Sequence, residues 1–90
     1  MSALWIDDGL VDPEGATIGV RDHGLTVGDG CFETMKVVRG QPFALSRHLR
    51  RLRRSLDALG FTLERTDDEL RAACSAVTAA DTEAGIVRLT

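Results

Sequence analysis

Read only for apolar and polar positions, the chain opens with Leu4 to Ile6 and Leu10 to Val11 on either side of Asp7, Asp8 and Gly9. An Asp-Gly pair between two apolar runs predicts a β-hairpin. "DPEG" then predicts a turn, and "ATIGV" a short strand or extended loop. From 31 to 38 the residues alternate. Phe32, Thr34, Lys36 and Val38 fall on one side, and Cys31, Glu33, Met35 and Val37 on the other, which predicts a strand. "RGQP" turns the chain, and "FAL" reads as a returning strand.

After that the apolar period lengthens. Leu45, Leu49, Leu52, Leu56 and Leu59 recur at intervals of four, three, four and three, which makes one core stripe on a helix. Ser46 is the expected N-cap and Gly60 the expected stop. A second helix opens on Thr66 and Glu69 as a capping box, with acids in its first turn. It carries Leu70, Cys74 and Val77 inward and ends near Ala80; a last strand covers Ile86 to Leu89. The order predicts one α+β domain over 1–90, an antiparallel-rich sheet with two helices packed on one face. The chain stops at "EAGIVRLT" with no turn or polar tail, so these residues are expected to be the front part of a longer protein.

Composition narrows the function classes. Hydrophobic content of 43% and charge of 28% describe a globular chain, not a disordered one. A net charge of −3 and a pI near 5.2 give no bulk attraction to nucleic acid or an anionic membrane. No apolar run is long enough to span a bilayer, and "MSALWIDDG" lacks the charged and apolar regions of a signal peptide, so a cytoplasmic location is expected. Cys31 and Cys74 lie far apart and outside any metal spacing; two reduced thiols are expected, and no metal.

Four features could carry chemistry. Gly24, Gly28 and Gly30 crowd the approach to the alternating strand. They do not form a phosphate-cradling loop, because no Lys-Ser/Thr pair follows and the loop runs into a strand, so Gly28 and Gly30 are expected to shape a turn that aims Phe32 to Lys36. The first helix carries five arginines. Arg47, Arg50 and Arg54 lie opposite the leucine stripe, where charge is normally solvated, whereas Arg51 and Arg53 sit on its two borders. By spacing, those two are equal candidates for an anion site, and His48 reads as a satisfied packing histidine. Lys36 is the only lysine and reads as a surface charge or an anion contact. Arg88, between Val87 and Leu89, is expected to project from a central strand towards a carboxylate.

Together these pieces resemble the N-terminal domain of the class IV (fold type IV) pyridoxal-phosphate enzymes, which include branched-chain and D-amino acid aminotransferases and aminodeoxychorismate lyases. "WIDDGLV" resembles the family's opening hairpin, "RDHGLTVGDGCFET" its glycine-rich lead into a strand, "PFALSRHLRRLRRSLDALG" its first helix and "GIVRLT" the start of a further strand. The family's H-x-x-R-L pattern reads here as His48, Leu49, Arg50, Arg51, Leu52. The resemblance therefore implies that Arg51, not Arg53, holds the cofactor phosphate. It implies that Phe32 and Glu33 belong to the strand lining the site, that Lys36 meets substrate, and that Arg88 meets a substrate carboxylate.

Two departures shape the expectation. Where most of the aminotransferases have a tyrosine before "GDG", this chain has Val27, and it has no tyrosine at all. The loss of that phenol points to the lyases, which convert 4-amino-4-deoxychorismate to 4-aminobenzoate and pyruvate in folate biosynthesis. A class IV aminotransferase is the alternative, and a non-catalytic binding module a further one if the chain ends at Thr90. The family's Schiff-base lysine lies downstream of Thr90, and Lys36 does not match it. So the 90 residues alone are expected to be inactive. The resemblance also implies pyridoxal 5'-phosphate as cofactor, a small-molecule substrate, a homodimer, and neither nucleic acid nor membrane as partner.

Overall fold

The computed structural model describes residues 2–90. Strands β1 (Leu4–Ile6) and β2 (Gly9–Val11) pair antiparallel as a hairpin, with Ile6 opposite Gly9. The two-residue loop is thus Asp7-Asp8, with Asp7 at φ 53°, and Gly9 already belongs to the second strand. Gly15 N–H closes the expected turn onto Asp12 O at 3.0 Å. The "ATIGV" stretch is loop, followed by a single helical turn, α1 (His23–Thr26), capped by Asp22.

The main sheet has three strands in the order β4-β3-β5, where β3 is Glu33–Val38, β4 is Gln41–Pro42 and β5 is Ile86–Leu89. All pairings are antiparallel; Thr34 faces Arg88, and Lys36 faces Ile86. Arg39 (φ 52°) and Gly40 (φ 75°) form the β3–β4 loop, both in the left-handed region that a tight two-residue hairpin requires. "FAL" is not the returning strand that its composition suggested. Gln41 and Pro42 form the paired strand and Phe43 N–H still reaches Lys36 O at 2.7 Å, but the Phe43 side chain is exposed, and Ala44 turns left-handed (φ 58°) directly into the next helix.

Helix α2 (Leu45–Leu59) therefore starts from Ala44, with no side-chain cap. Ser46 is not the cap. It lies inside the first turn, where its Oγ accepts from Arg71 Nη2 at 2.7 Å, so the hydroxyl that could have capped one helix ties it to the next. The other end is as expected: Gly60 takes φ 76°, and Phe61 N–H returns to Leu56 O at 2.9 Å. Helix α3 (Asp67–Ala80) opens with both halves of the Thr66–Glu69 capping box in place.

Both helices cover the same face of the sheet. Met35, Cys74 and Val87 form one core cluster, and Leu49, Leu52 and Leu70 form a second; Leu45 and Leu89 pack against both. The leucine stripe is buried in its middle and opens to solvent at Leu59. Arg53 fastens the α2–α3 connection: Nε donates to Asp67 at 3.0 Å, and the guanidinium also reaches the carbonyls of Leu63 and Arg65. Arg65 pairs in turn with Asp8 and Glu69, joining the N-terminal hairpin to the start of α3. The architecture is α+β, with helices on one face of an antiparallel sheet. No helix among the described residues is long and apolar enough to cross a membrane.

Candidate functional site

The alternation along β3 sorts the predicted residues. Glu33 and Met35 turn under the helices and are buried, whereas Phe32, Thr34 and Lys36 face away from them and are exposed. Antiparallel register places Arg88 on that same open face, opposite Thr34. Its guanidinium carbon sits 4.1 Å from the centroid of the Phe32 ring, and Nε donates to Thr90 Oγ1 at 3.1 Å. A cation held over an aromatic face keeps its outer donors free for an anion. No carboxylate among the described residues pairs with Arg88 or Lys36. Lys36 lies farther along the face, about 13 Å from Phe32 at the rise of an extended strand.

One detail of the Arg88 expectation is corrected. Arg88 is not on a central strand: β3 is central, and β5 has a free outer edge among the described residues. Along that edge runs a cleft of about 560 Å³, bounded by Leu4 and Trp5, by Val77 on α3, and by β5 itself. It reaches Arg88 but includes neither Lys36 nor Arg51, so this cleft does not bring the candidate residues together.

Arg51 stands on the other side of β3. Its nearest described partner is the Glu33 carboxylate, with Nε 3.7 Å from Oε1, beyond hydrogen-bonding distance. The same oxygen lies only 2.6 Å from Nδ1 of His48, one turn back on α2. His48 is thus a satisfied histidine, as expected, but its partner was not foreseen. Nothing in the periodicity of either element shows that residue 33 of a strand and residue 48 of a helix will meet. A buried carboxylate position in an otherwise apolar half-strand was the available signal, since such a group must find a partner.

The two border arginines differ in their surroundings. Arg53 is spent on Asp67 and two carbonyls, whereas Arg51 has a side chain 58% exposed and makes no hydrogen bond to a described residue. An exposed guanidinium with uncommitted donors suits a phosphate monoester. Glu33 at its back opposes that charge but already carries a donor from His48. In donor chemistry, then, Arg51 fits a phosphate group. Phe32 and Glu33 are consecutive, so the open face and the Arg51 corner meet at one end of β3.

The glycine-rich approach to that end is only partly as expected. Gly28 takes φ 70°, which favours glycine, but Gly30 has no positive φ and no close neighbour. The second constrained glycine is Gly24, where a Cβ would come within 2.9 Å of Asp22 Oδ1, the α1 cap. Asp29 N–H then binds His23 O at 3.1 Å and folds the loop back on α1. Both cysteines are free; burial of Cys74 pushes its thiol pKa up.

The chain belongs to the amino-transferase class IV family, which residues 30–90 match. Members of this family use pyridoxal phosphate and act as aminotransferases or lyases. A solved structure of 4-amino-4-deoxychorismate lyase from Pseudomonas aeruginosa is 40% identical and superposes with a TM-score of 0.70, covering 83% of this chain and 27% of that one. A fold IV-transaminase from Curtobacterium pusillum is 34% identical with a TM-score of 0.75, covering 88% and 28%. A D-alanine aminotransferase from Staphylococcus aureus (strain N315) is 30% identical over 70 residues, which is 78% of this chain and 25% of that protein. The chain spans about a quarter of the length of these relatives.

Proposed function

We propose that these residues form one wall of the active site of a pyridoxal-phosphate-dependent 4-amino-4-deoxychorismate lyase. The observation that carries this reading is the open face of the sheet, where Arg88 and Lys36 present two cations with no carboxylate among the described residues to neutralise them. A substrate with two carboxylates suits two such groups better than a simple amino acid does. The 40% identity to a lyase and the absence of tyrosine support the same choice.

In this proposal Arg51 holds the cofactor phosphate through its free donors, and Phe32 stacks under Arg88 and fixes its direction. Arg88 binds one substrate carboxylate, and Lys36 the other or the rim of the pocket. When bound, pyridoxal phosphate supplies an electron sink for a carbanion at the substrate Cα. The residues described here orient substrate and exclude water; the lysine that moves the proton belongs to the remainder of such an enzyme, which acts as a homodimer in the cytoplasm on this reading. The 90 residues by themselves are predicted to turn over nothing.

The test is to give the intact protein 4-amino-4-deoxychorismate and, separately, D-alanine or a branched-chain amino acid with an oxo-acid acceptor. Release of 4-aminobenzoate is the expected result. Amino transfer without 4-aminobenzoate would establish the aminotransferase alternative, which the D-alanine aminotransferase relative favours.

A further inference from the structure

Arg51 has an unusual neighbour for a phosphate-binding group. A carboxylate stands behind it, and that carboxylate is buried, with the Glu33 side chain only 8% exposed. A buried carboxylate must be paired, and an arginine is its best partner, because a two-pronged contact satisfies both oxygens at once. Such a contact would consume two guanidinium donors and cancel the charge that attracts a phosphate. The distances show that it has not formed: Oε1 takes its short bond, at 2.6 Å, from His48, while Arg51 Nε stays at 3.7 Å. Facing a carboxylate in its ionised form, which only accepts, Nδ1 of His48 would be the donor. His48 and Arg51 are three residues apart on α2 and therefore lie on the same side of it, so they compete for one oxygen.

We propose that His48 is a positioning residue: by satisfying Glu33 it keeps the carboxylate from closing on Arg51, and so leaves the guanidinium free for a phosphate monoester. This rests on the reading of Arg51 as the phosphate group. Glu33 then acts as a post that limits where the Arg51 side chain can swing, and His48 decides how much of the arginine's charge the post takes up.

The measurement is the affinity of the intact protein for pyridoxal phosphate and for pyridoxal, by equilibrium dialysis. The two share ring and aldehyde, so the ratio of the dissociation constant for pyridoxal to that for pyridoxal phosphate reports the phosphate alone. With its donor gone, His48→Leu lets Glu33 turn to Arg51, and the ratio is expected to fall by about tenfold, the scale of one charged hydrogen bond. His48→Asn places an amide N–H near the position of Nδ1 and is expected to keep the ratio. Adding Glu33→Gln to His48→Leu removes the competing charge and is expected to restore it. A purely structural role for His48 predicts instead that the double variant binds no better than the single one, and that result would overturn the proposal.

Melting curves accompany each variant. Should His48→Leu not fold, Glu33→Gln alone decides, since it keeps an acceptor for His48 and is expected to hold or raise the ratio; a fall refutes the competition. Arg51→Ala separates the two layers of the argument. An unchanged ratio in that variant would remove the phosphate reading itself, whereas a collapsed ratio with His48→Leu inert would refute the role of His48 only.

Discussion

The two faces of β3 are made from one short stretch of sequence and behave as opposites. The face under the helices carries Glu33, Met35 and Val37, and β5 adds Val87 and Leu89; no fully buried side-chain nitrogen or oxygen among the described residues lacks a partner. The other face carries Phe32, Thr34, Lys36, Ile86 and Arg88, all exposed, with two cations unpaired by any described carboxylate. One face has found its contacts within these residues, and the other offers contacts to something else. Glu33 and Phe32 sit at the end where the two meet, which is where the Arg51 corner adjoins the open face.

Mutation should separate the faces. The largest effect on stability is expected from Met35→Ala: a fully buried side chain between α3 and β5 leaves a cavity worth about 2–5 kcal/mol, measurable by denaturant unfolding. Thr66→Ala should cost about 1 kcal/mol through loss of the α3 cap. Its pH dependence has a definite sign. The Glu69 carboxylate is held below its ordinary pKa, first by the Thr66 backbone N–H and then by Arg65. That stabilisation is present above the ordinary carboxylate range and is lost as pH falls through the lowered value; the Thr66 backbone N–H survives in Thr66→Ala, so the variant should keep most of this acid loss, whereas Glu69→Gln should remove it. The smallest effect is expected from Lys36→Ala, under about 0.5 kcal/mol, because the side chain stands in solvent on the open face. An equal loss from Lys36→Ala and Met35→Ala would break the comparison.

How far the sequence alone reached follows the same division. The leucine stripe, the capping box, Gly60 and the alternation of β3 are local patterns, and each is where the spacing put it. Ser46 and "FAL" misled because a local preference was overridden: the left-handed turn at Ala44 starts α2 early, and Arg71 claims the hydroxyl. The constraint expected at Gly30 falls at Gly24, where the Asp22 side chain caps the short helix α1 and lies against that Cα. The Glu33–His48 bond spans 15 residues and depends on how α2 lies across the sheet, which periodicity does not encode. The proposed role of Arg51 rests on a resemblance, and its free donors are visible only in the structure.

The central claim is that the open face binds substrate while contributing little to the fold, and Arg88→Ala in the intact protein tests it most directly. Arg88 is an edge-strand residue whose partners are Thr90 and the Phe32 ring, so its removal should leave the melting temperature nearly unchanged. Loss of a charged contact to a substrate carboxylate should lower kcat/KM for 4-amino-4-deoxychorismate by about tenfold to a hundredfold. A variant that melts as the parent does and turns over the substrate as fast would contradict the account.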